Sequence, residues 1–296
     1  MSVEPTEIPT TVPAAATRSG PPRWLRPIGV RLVFLLVVFA VVDVVFAQVN
    51  SLAVKNPVTG LLAGLATAAI ALVGYARLVG WLEQRKVPEV GTATLRPQLA
   101  RGVGLGIVLF AGTILLIFIC DGYRVRGWGS VGDAIATFGL MAGVATCEEL
   151  LFRGVLFRIV EEWAGTLVAL VVSGLLFGVM HLLNPGGTGW GALSIAVEAG
   201  LMLGAAYVAT RSLWLPIGLH LGWNFAESGI FGSTVSGSNG TVGGLLDGAS
   251  HGPAIISGGA FGPEASILAV LIGGATAILL LRKARKAGRI VRAPWR

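Results

Sequence analysis

Two adjacent carboxylates and an arginine, in the pattern Glu148-Glu149-x-x-x-Arg153, stand in the middle of a long apolar stretch. Ionisable groups at membrane depth are costly, so their presence there indicates function. On a helix Glu149 and Arg153 are one turn apart and can pair, whereas Glu148 points about 100° away from Glu149. A buried carboxylate without a counter-charge can take a proton from a water. The pattern therefore predicts Glu148 as a general base, supported by Glu149 and Arg153.

Two further motifs carry imidazole and amide groups at helical spacing, Phe177-x-x-x-His181 and His220-x-x-x-Asn224. A histidine opposite Glu148 can hold the attacking water or receive its proton. A second histidine, with an amide one turn away, can donate hydrogen bonds to a developing oxyanion. Together the three motifs supply the parts for hydrolysing an amide bond.

The same side chains leave a metal site open as an alternative. Glu148, His181 and His220 also suit a catalytic zinc with one open position. Zinc requires bonds of about 2.0–2.2 Å, so three helices would have to close on one point. No histidine has a carboxylate one turn away to support a metal-bound imidazole, and His220 has Asn224 there instead. The residues thus favour oxyanion donors over a divalent metal, and no organic cofactor is indicated.

The spacing of the motifs predicts how the helices bring them together. A hairpin turn at Ala164–Gly165 leaves Glu148 16 residues before Ala164 and His181 17 residues after it. In antiparallel α-helices both side chains then lie about 24 Å from the turn, at the same level. His220 reaches that level only if these two helices extend past the start of its own helix.

The composition predicts an all-α membrane helix bundle. Hydrophobic residues make up 54% of the chain and charged residues 12%, a balance that excludes an ordinary soluble domain. About eight apolar runs are long enough to be transmembrane helices: Leu32–Val49, Val58–Trp81, Gly102–Cys120, Asp133–Trp163, Thr166–Leu183, Gly191–Thr210, Leu213–Ile230 and Ala265–Leu281. The expected organisation is a disordered tail (1–27), a transmembrane domain (28–281) with a protease core at about 133–230, and a basic tail (282–296).

The positive charges predict the orientation of this bundle. Eight spans put both termini on one side, and of the 22 lysines and arginines only Lys55, Arg124 and Arg126 then fall on the other side. Because basic residues accumulate on the cytoplasmic side, both termini are expected in the cytoplasm. The net charge of +7 is explained by this topology, so no nucleic-acid partner is predicted.

Taken together, the three motifs resemble the CPBP family of intramembrane proteases, which includes the CAAX prenyl endopeptidases and the bacterial Abi proteins. The resemblance covers roughly Asp133–Phe225, with the motifs intact and in order. It implies that Glu148 activates water with the help of His181, and that His220 and Asn224 serve the oxyanion. Glu149, Arg153 and Phe177 match supporting motif positions. The family is usually called a metalloprotease family, although a metal-free glutamate mechanism has also been proposed for it.

The expected function is an endopeptidase of the cell membrane that acts on a membrane-embedded or lipidated peptide. Two other functions use the same features. Buried carboxylates can form the proton relay of a transporter or channel, and a membrane scaffold or immunity protein needs no catalysis. Three further carboxylates in apolar context, Asp43, Glu198 and Glu227, are expected to make helix contacts, with Glu198 the strongest candidate for another role.

Overall fold

The computed structural model describes residues 20–238 and 243–293, and this part of the chain is almost entirely helical. Its α-helices and strands are α1 (Ile28–Ala53), α2 (Pro57–Glu83), α3 (Leu95–Ile119), β1 (Tyr123–Trp128), α4 (Val131–Glu149), α5 (Arg158–Ala164), α6 (Thr166–Met180), α7 (Gly189–Ile195), α8 (Met202–Thr210), α9 (Trp214–Asn224), β2 (Leu246–Ser250), α10 (Ala254–Ser257) and α11 (Ile267–Lys286).

Three helices continue without a break into π-helical segments, Leu150–Phe157 after α4, Ala196–Leu201 after α7 and Phe225–Ile230 after α9. The first joins α4 to α5 and the second joins α7 to α8. π-Helical turns are rare and occur frequently at functional sites. All three lie in the segment that carries the sequence motifs.

Seven helical segments of the described chain are long and apolar enough to cross a membrane. They are Ile28–Ala53, Pro57–Glu83, Pro88–Ile119, Val131–Ala164, Thr166–Leu183, Gly189–Thr210 and Ile267–Lys286. The remaining predicted span corresponds to α9 with its π-helical continuation, which is shorter than these seven but almost completely buried. The prediction of a polytopic all-helical bundle is confirmed.

Local sequence signals begin and end these helices. Asn56 caps α2 by accepting from the backbone N–H groups of Val58 and Thr59, and Ser130 caps α4 in the same way. α5 and α6 are separated by Gly165 at φ +82°, a conformation that glycine adopts without strain. The predicted hairpin turn therefore lies where the sequence indicates.

Charged contacts gather several helix ends at one face of the bundle. Arg31 at the start of α1 lies 3.5 Å from Glu83 at the end of α2. Arg211, between α8 and α9, pairs with Glu161 of α5 and donates to the backbone carbonyl of Arg289. Because the eight helical segments alternate in direction, both ends of the described chain lie at this face. Its assignment to the cytoplasm stays a prediction.

The opposite face carries an antiparallel pair of strands, β1 and β2, with Tyr123 opposite Ser250 and Trp128 opposite Leu246. Both strands lie between predicted transmembrane spans, β1 between the third and the fourth and β2 in the Gly/Ser-rich segment between the seventh and the eighth. The hydroxyl of Tyr123 donates to the backbone carbonyl of Phe231 at 2.6 Å. Burial raises the pKa of Tyr123 to about 12, so it remains a donor at neutral pH.

The two predicted tails lie partly outside the described residues. The predicted disordered tail lies outside the described residues up to residue 19, and Arg23–Leu25 forms a 3₁₀ turn whose Leu25 is buried. The predicted basic tail begins as helix, because α11 continues through Lys286. Residues 294–296 lie outside the described residues.

Glycines allow the helices that carry the motifs to pack closely. A Cβ atom added to Gly106 of α3 would lie 2.3 Å from the carbonyl oxygen of Leu219 in α9, and one added to Gly64 of α2 would lie 1.8 Å from that of Gly139 in α4. Close approach through small residues is typical of helix packing in membranes. These contacts hold α4 and α9 in the positions that bring their motif residues together.

Candidate active site

A fully buried ion pair is formed by Glu149 and Arg153. Nη1 of Arg153 donates to Oε1 of Glu149 at 2.6 Å, and both side chains have 0% exposure. Nη2 of the same guanidinium donates to the backbone carbonyls of Ala199 and Gly200 at 3.2 and 3.1 Å. Arg153 thus neutralises Glu149 and ties the end of α4 to the π-helical segment between α7 and α8.

The imidazole of His220 lies between the two adjacent glutamates. Its Nδ1 is 3.1 Å from Oε1 of Glu149, and its Nε2 is 3.8 Å from Oε2 of Glu148. Because the Glu149 carboxylate is an acceptor, the hydrogen on the imidazole is placed at Nδ1 and Nε2 faces Glu148. Oε2 of Glu148 is buried and has no hydrogen-bond partner in the described part of the chain.

The relative levels of these residues depend on the π-helix after α4. The predicted register assumed an α-helical rise from Glu148 to the turn at Gly165, but residues 150–157 are π-helical. The helices come together so that His220, six positions into α9, reaches the level of Glu149. This agrees with the expectation that α4 and its continuation extend past the start of α9.

Phe177 forms an aromatic wall between the other motif residues. Its ring centroid lies 4.8 Å from that of His181 and 6.0 Å from that of His220. The guanidinium carbon of Arg153 is 4.7 Å from the same ring, within the range of a cation–π contact. The motif phenylalanine therefore fixes the spacing of two imidazoles and of the buried arginine.

His181 and Asn224 border a small cavity next to His220. The polar groups that line it are His181, Glu198, His220, Asn224, Ser236 and Glu264, and its volume is sufficient for about one water molecule. Nδ1 of His181 is 2.7 Å from the carbonyl oxygen of Phe177. Since a carbonyl only accepts, Nδ1 carries the hydrogen and Nε2 is left as an acceptor.

The structure brings His181 close to His220 rather than into direct contact with Glu148. No hydrogen bond or ion pair links Glu148 to His181 among residues 20–238 and 243–293, whereas both histidines line the cavity. The predicted catalytic residues therefore form two adjoining groups. One consists of Glu148 with His220, and the other of His181 with His220 and Asn224.

Sequence reasoning did not connect Asp43 with this site. The carboxylate of Asp43, in α1, interacts electrostatically with His220 and Glu148. The signal available in the sequence was an acidic residue in an otherwise apolar span, which indicates function only in general terms. Its partners belong to helices far along the chain and cannot be identified from local spacing.

Glu264 is a second residue that the motifs did not reveal. Its buried carboxylate accepts from Trp223 Nε1 at 3.0 Å and from the backbone N–H and hydroxyl of Ser236 at 2.8 and 2.6 Å. Ser236 in turn accepts at its carbonyl from Asn184, three residues after His181. Glu264 therefore connects α9 to the turn that follows His181 and closes one side of the cavity.

The residues suggested as metal ligands do not form a metal site in this arrangement. Glu148 and His220 approach to 3.8 Å, but Nδ1 of His181 contacts the backbone carbonyl of Phe177. Within the described residues, no three His, Cys, Asp or Glu side chains are grouped so that they could hold a metal ion.

Comparison with known families agrees with the motifs. Residues 130–226, about a third of the chain, match the family described as Rce1-like, type II CAAX prenyl endopeptidase. Comparisons with curated proteins and with solved structures gave no match. The matched segment begins at the cap of α4 and ends just after Asn224, so it contains all three motifs. The match confirms the resemblance that the motifs indicate, and it shows that this segment is similar to the Rce1-like type II CAAX prenyl endopeptidases.

Proposed function

We propose that the chain is an intramembrane endopeptidase that hydrolyses a peptide bond of a membrane-embedded or lipidated substrate with a water activated by Glu148. One observation carries the proposal. The buried Oε2 of Glu148 has no hydrogen-bond partner in the described residues and faces Nε2 of His220, whose other nitrogen is held by Glu149. An unengaged carboxylate oxygen beside an oriented imidazole is suited to general base catalysis.

The reaction begins with the attacking water. His181 holds this water through Nε2, because its Nδ1–H is engaged by the carbonyl of Phe177. Glu148 removes a proton from the water as its oxygen attacks the scissile carbonyl carbon. The product of this step is a tetrahedral intermediate with a negatively charged oxygen.

The oxyanion is stabilised by His220 and Asn224. The proton taken up by Glu148 can be shared with Nε2 of His220, 3.8 Å away. Nδ1–H of His220 stays with Glu149, so the shared proton is placed at Nε2. Nε2–H of His220 and the side-chain amide of Asn224 then donate to the oxyanion, and removing one such donor typically costs about 100–1,000-fold in rate.

The dimensions of the cavity favour hydrolysis over transport. A proton or ion pathway needs a series of sites across the bilayer, whereas the polar cavity beside His220 has room for about one water molecule. The family match supports endopeptidase activity on a membrane-associated substrate. A substrate that carries a lipid or a membrane-embedded segment would be concentrated at the bilayer that contains this site.

The test is hydrolysis of fluorogenic peptides by the purified protein in lipid nanodiscs, with lipidated and unlipidated forms of the same peptide, the prenylated form included. Glu148→Gln keeps the side-chain volume but cannot accept the proton, so we expect turnover to fall by about 100-fold or more with an unchanged melting temperature. Glu162→Gln is the matched control, because Glu162 follows in α5, is half exposed and pairs with Arg158. Turnover by Glu148→Gln above about a tenth of the wild-type rate would remove Glu148 from the role of base.

A further inference from the structure

Glu198 is a buried carboxyl group that borders the cavity and that the mechanism above does not use. It lies in the π-helical segment Ala196–Leu201 and has 0% exposure. Neither of its carboxyl oxygens has a hydrogen-bond partner in the described chain. It lines the same small cavity as His181, His220 and Asn224. An unpartnered acid that faces the candidate active site requires a chemical explanation.

The groups around Glu198 leave it without a counter-charge. Arg153 reaches this segment, but its Nη1 is engaged by Glu149 and its Nη2 by the carbonyls of Ala199 and Gly200. Glu264, which also lines the cavity, accepts three hydrogen bonds. The oxygens of Glu264 therefore have donors, whereas those of Glu198 have none in the described chain.

The surroundings of Glu198 determine its protonation state. An ionised carboxylate buried without a cation or a donor is so costly that the group remains neutral instead. Glu198 is in that position, and the Glu264 carboxylate nearby opposes a second negative charge. Glu198 therefore carries its proton at the cavity, and a protonated carboxyl group is a hydrogen-bond donor and an acid.

We propose that Glu198 is the general acid that protonates the leaving amine of the substrate; this inference rests on the proposed peptidase function. As the tetrahedral intermediate collapses, the C–N bond breaks and the amide nitrogen takes the carboxyl proton of Glu198. Glu198 is left as a carboxylate and the substrate departs as an amine and a carboxylic acid. The proton that Glu148 removed from the water then passes to Glu198, so the cycle adds one water across the bond.

The position of Glu198 suits this step for two reasons. Glu198 lines the same cavity as His181 and Asn224, the residues assigned to the water and the oxyanion, so its carboxyl group lies next to the reacting bond. Glu148 and Glu198 also belong to different helices, with Glu148 next to Nε2 of His220 and Glu198 in the lining of the cavity beside His220, so that base and acid are separate groups. The Glu264 carboxylate favours return of the proton to Glu198.

Glu227 provides a matched control. It has the same residue type, 0% exposure, no hydrogen-bond partner for either oxygen in the described chain, and a position in a π-helical segment, Phe225–Ile230. Both acids interact electrostatically with Glu264, Glu227 more closely, but Glu227 does not line the cavity. A general effect of deleting a buried acid should therefore appear in both variants, and loss of the proton donor in only one.

The experiment compares two substrates with the same acyl part, a peptide amide and a nitrophenyl ester. The nitrophenolate leaving group needs no proton, so only the amide depends on an acid. We expect Glu198→Gln to lower amide hydrolysis by about 100-fold and ester hydrolysis by less than about threefold. Glu227→Gln should leave both rates within about threefold of the wild type.

The outcomes separate this inference from the proposed function. Equal losses on amide and ester, retained amide hydrolysis, or the same pattern in Glu227→Gln would each overturn the role of Glu198. A wild-type protein that hydrolyses neither substrate would overturn the peptidase function instead. If Glu198→Gln does not fold, Glu198→Asp carries the test. The aspartate side chain is one methylene shorter, so its carboxyl proton lies farther from the leaving nitrogen and the rate of amide hydrolysis should fall more than that of ester hydrolysis. An equal fall in the two rates would contradict the assignment.

Discussion

Nδ1 of His220 lies 3.1 Å from Oε1 of Glu149, the same oxygen that accepts a hydrogen bond from Arg153. Oε1 of Glu149 therefore links Arg153, in the π-helical segment after α4, to His220 in α9. His220 has no carboxylate one turn away on its own helix, so the sequence predicted an imidazole without a carboxylate partner. The support comes from another helix, so the orientation of His220 depends on the ion pair.

The first prediction concerns the double role of Glu149. Glu149→Gln strands Arg153 in a buried site, and breaking such a pair costs about 3–5 kcal/mol. We expect a lower yield and a lower melting temperature, together with reduced turnover because His220 loses its partner at Nδ1. Thermal unfolding followed by tryptophan fluorescence measures the first effect, with Glu162→Gln as the control. A variant that is as stable as the wild type but inactive would show that the pair does not support the fold.

The second prediction tests the close packing of α3 against α9. Gly106→Ala places a Cβ atom 2.3 Å from the carbonyl oxygen of Leu219, so we expect a loss of about 1–3 kcal/mol in the free energy of unfolding. Turnover should fall with it, because α9 carries His220. Gly104→Ala is the control, since a Cβ there has nothing within 4 Å. Equal melting temperatures for the two variants would contradict the described contact between these helices.

The third prediction concerns metal. The candidate ligands Glu148, His181 and His220 are not grouped as a metal site, so we expect purified active protein to hold less than one equivalent of zinc and to stay active after chelation. Elemental analysis and activity measured on the same sample decide this. One equivalent of zinc, with activity lost on chelation and restored by zinc, would establish a metal-dependent reaction.

The fourth prediction concerns orientation in the membrane. Reporters fused after Arg296 and inserted next to Glu83 should both report the cytoplasm, and a reporter in the Gly232–Pro263 segment should report the other side. The physical reason is the concentration of arginine and lysine at the face that contains Arg31 and Arg211. An exported signal from the C-terminal fusion would overturn the arrangement of eight helical segments.

Much of the fold follows from the sequence because hydropathy acts over one helix at a time. The run from Thr166 to Leu183 is predicted and observed with the same ends. The turn at Gly165 is correct because glycine readily adopts a positive φ. The pairing of Glu149 with Arg153 is also visible, since both residues lie on one helix at i and i+4.

The remainder depends on contacts between distant segments, which spacing does not encode. The strand at Tyr123–Trp128 forms only because Leu246–Ser250 pairs with it, and neither segment has a strong strand pattern by itself. The π-helical segments at Leu150–Phe157, Ala196–Leu201 and Phe225–Ile230 were not predicted, since the helical spacing assumed α-helix throughout. Glu264 and Glu198 stand outside the motifs, so their positions at the cavity become visible only in the folded chain.

The buried ion pair also imposes an order on biogenesis. Arg153 finds its carbonyl partners 46 and 47 residues later in the chain, and Glu149 meets His220 71 residues later. Until those residues emerge from the ribosome, the α4 segment must enter the bilayer with polar groups only partly satisfied, at a cost of about 2.5–3.5 kcal/mol for each charge. A chain that ends before α9 therefore contains the Glu149–Arg153 pair without the imidazole that Glu149 contacts in the complete fold.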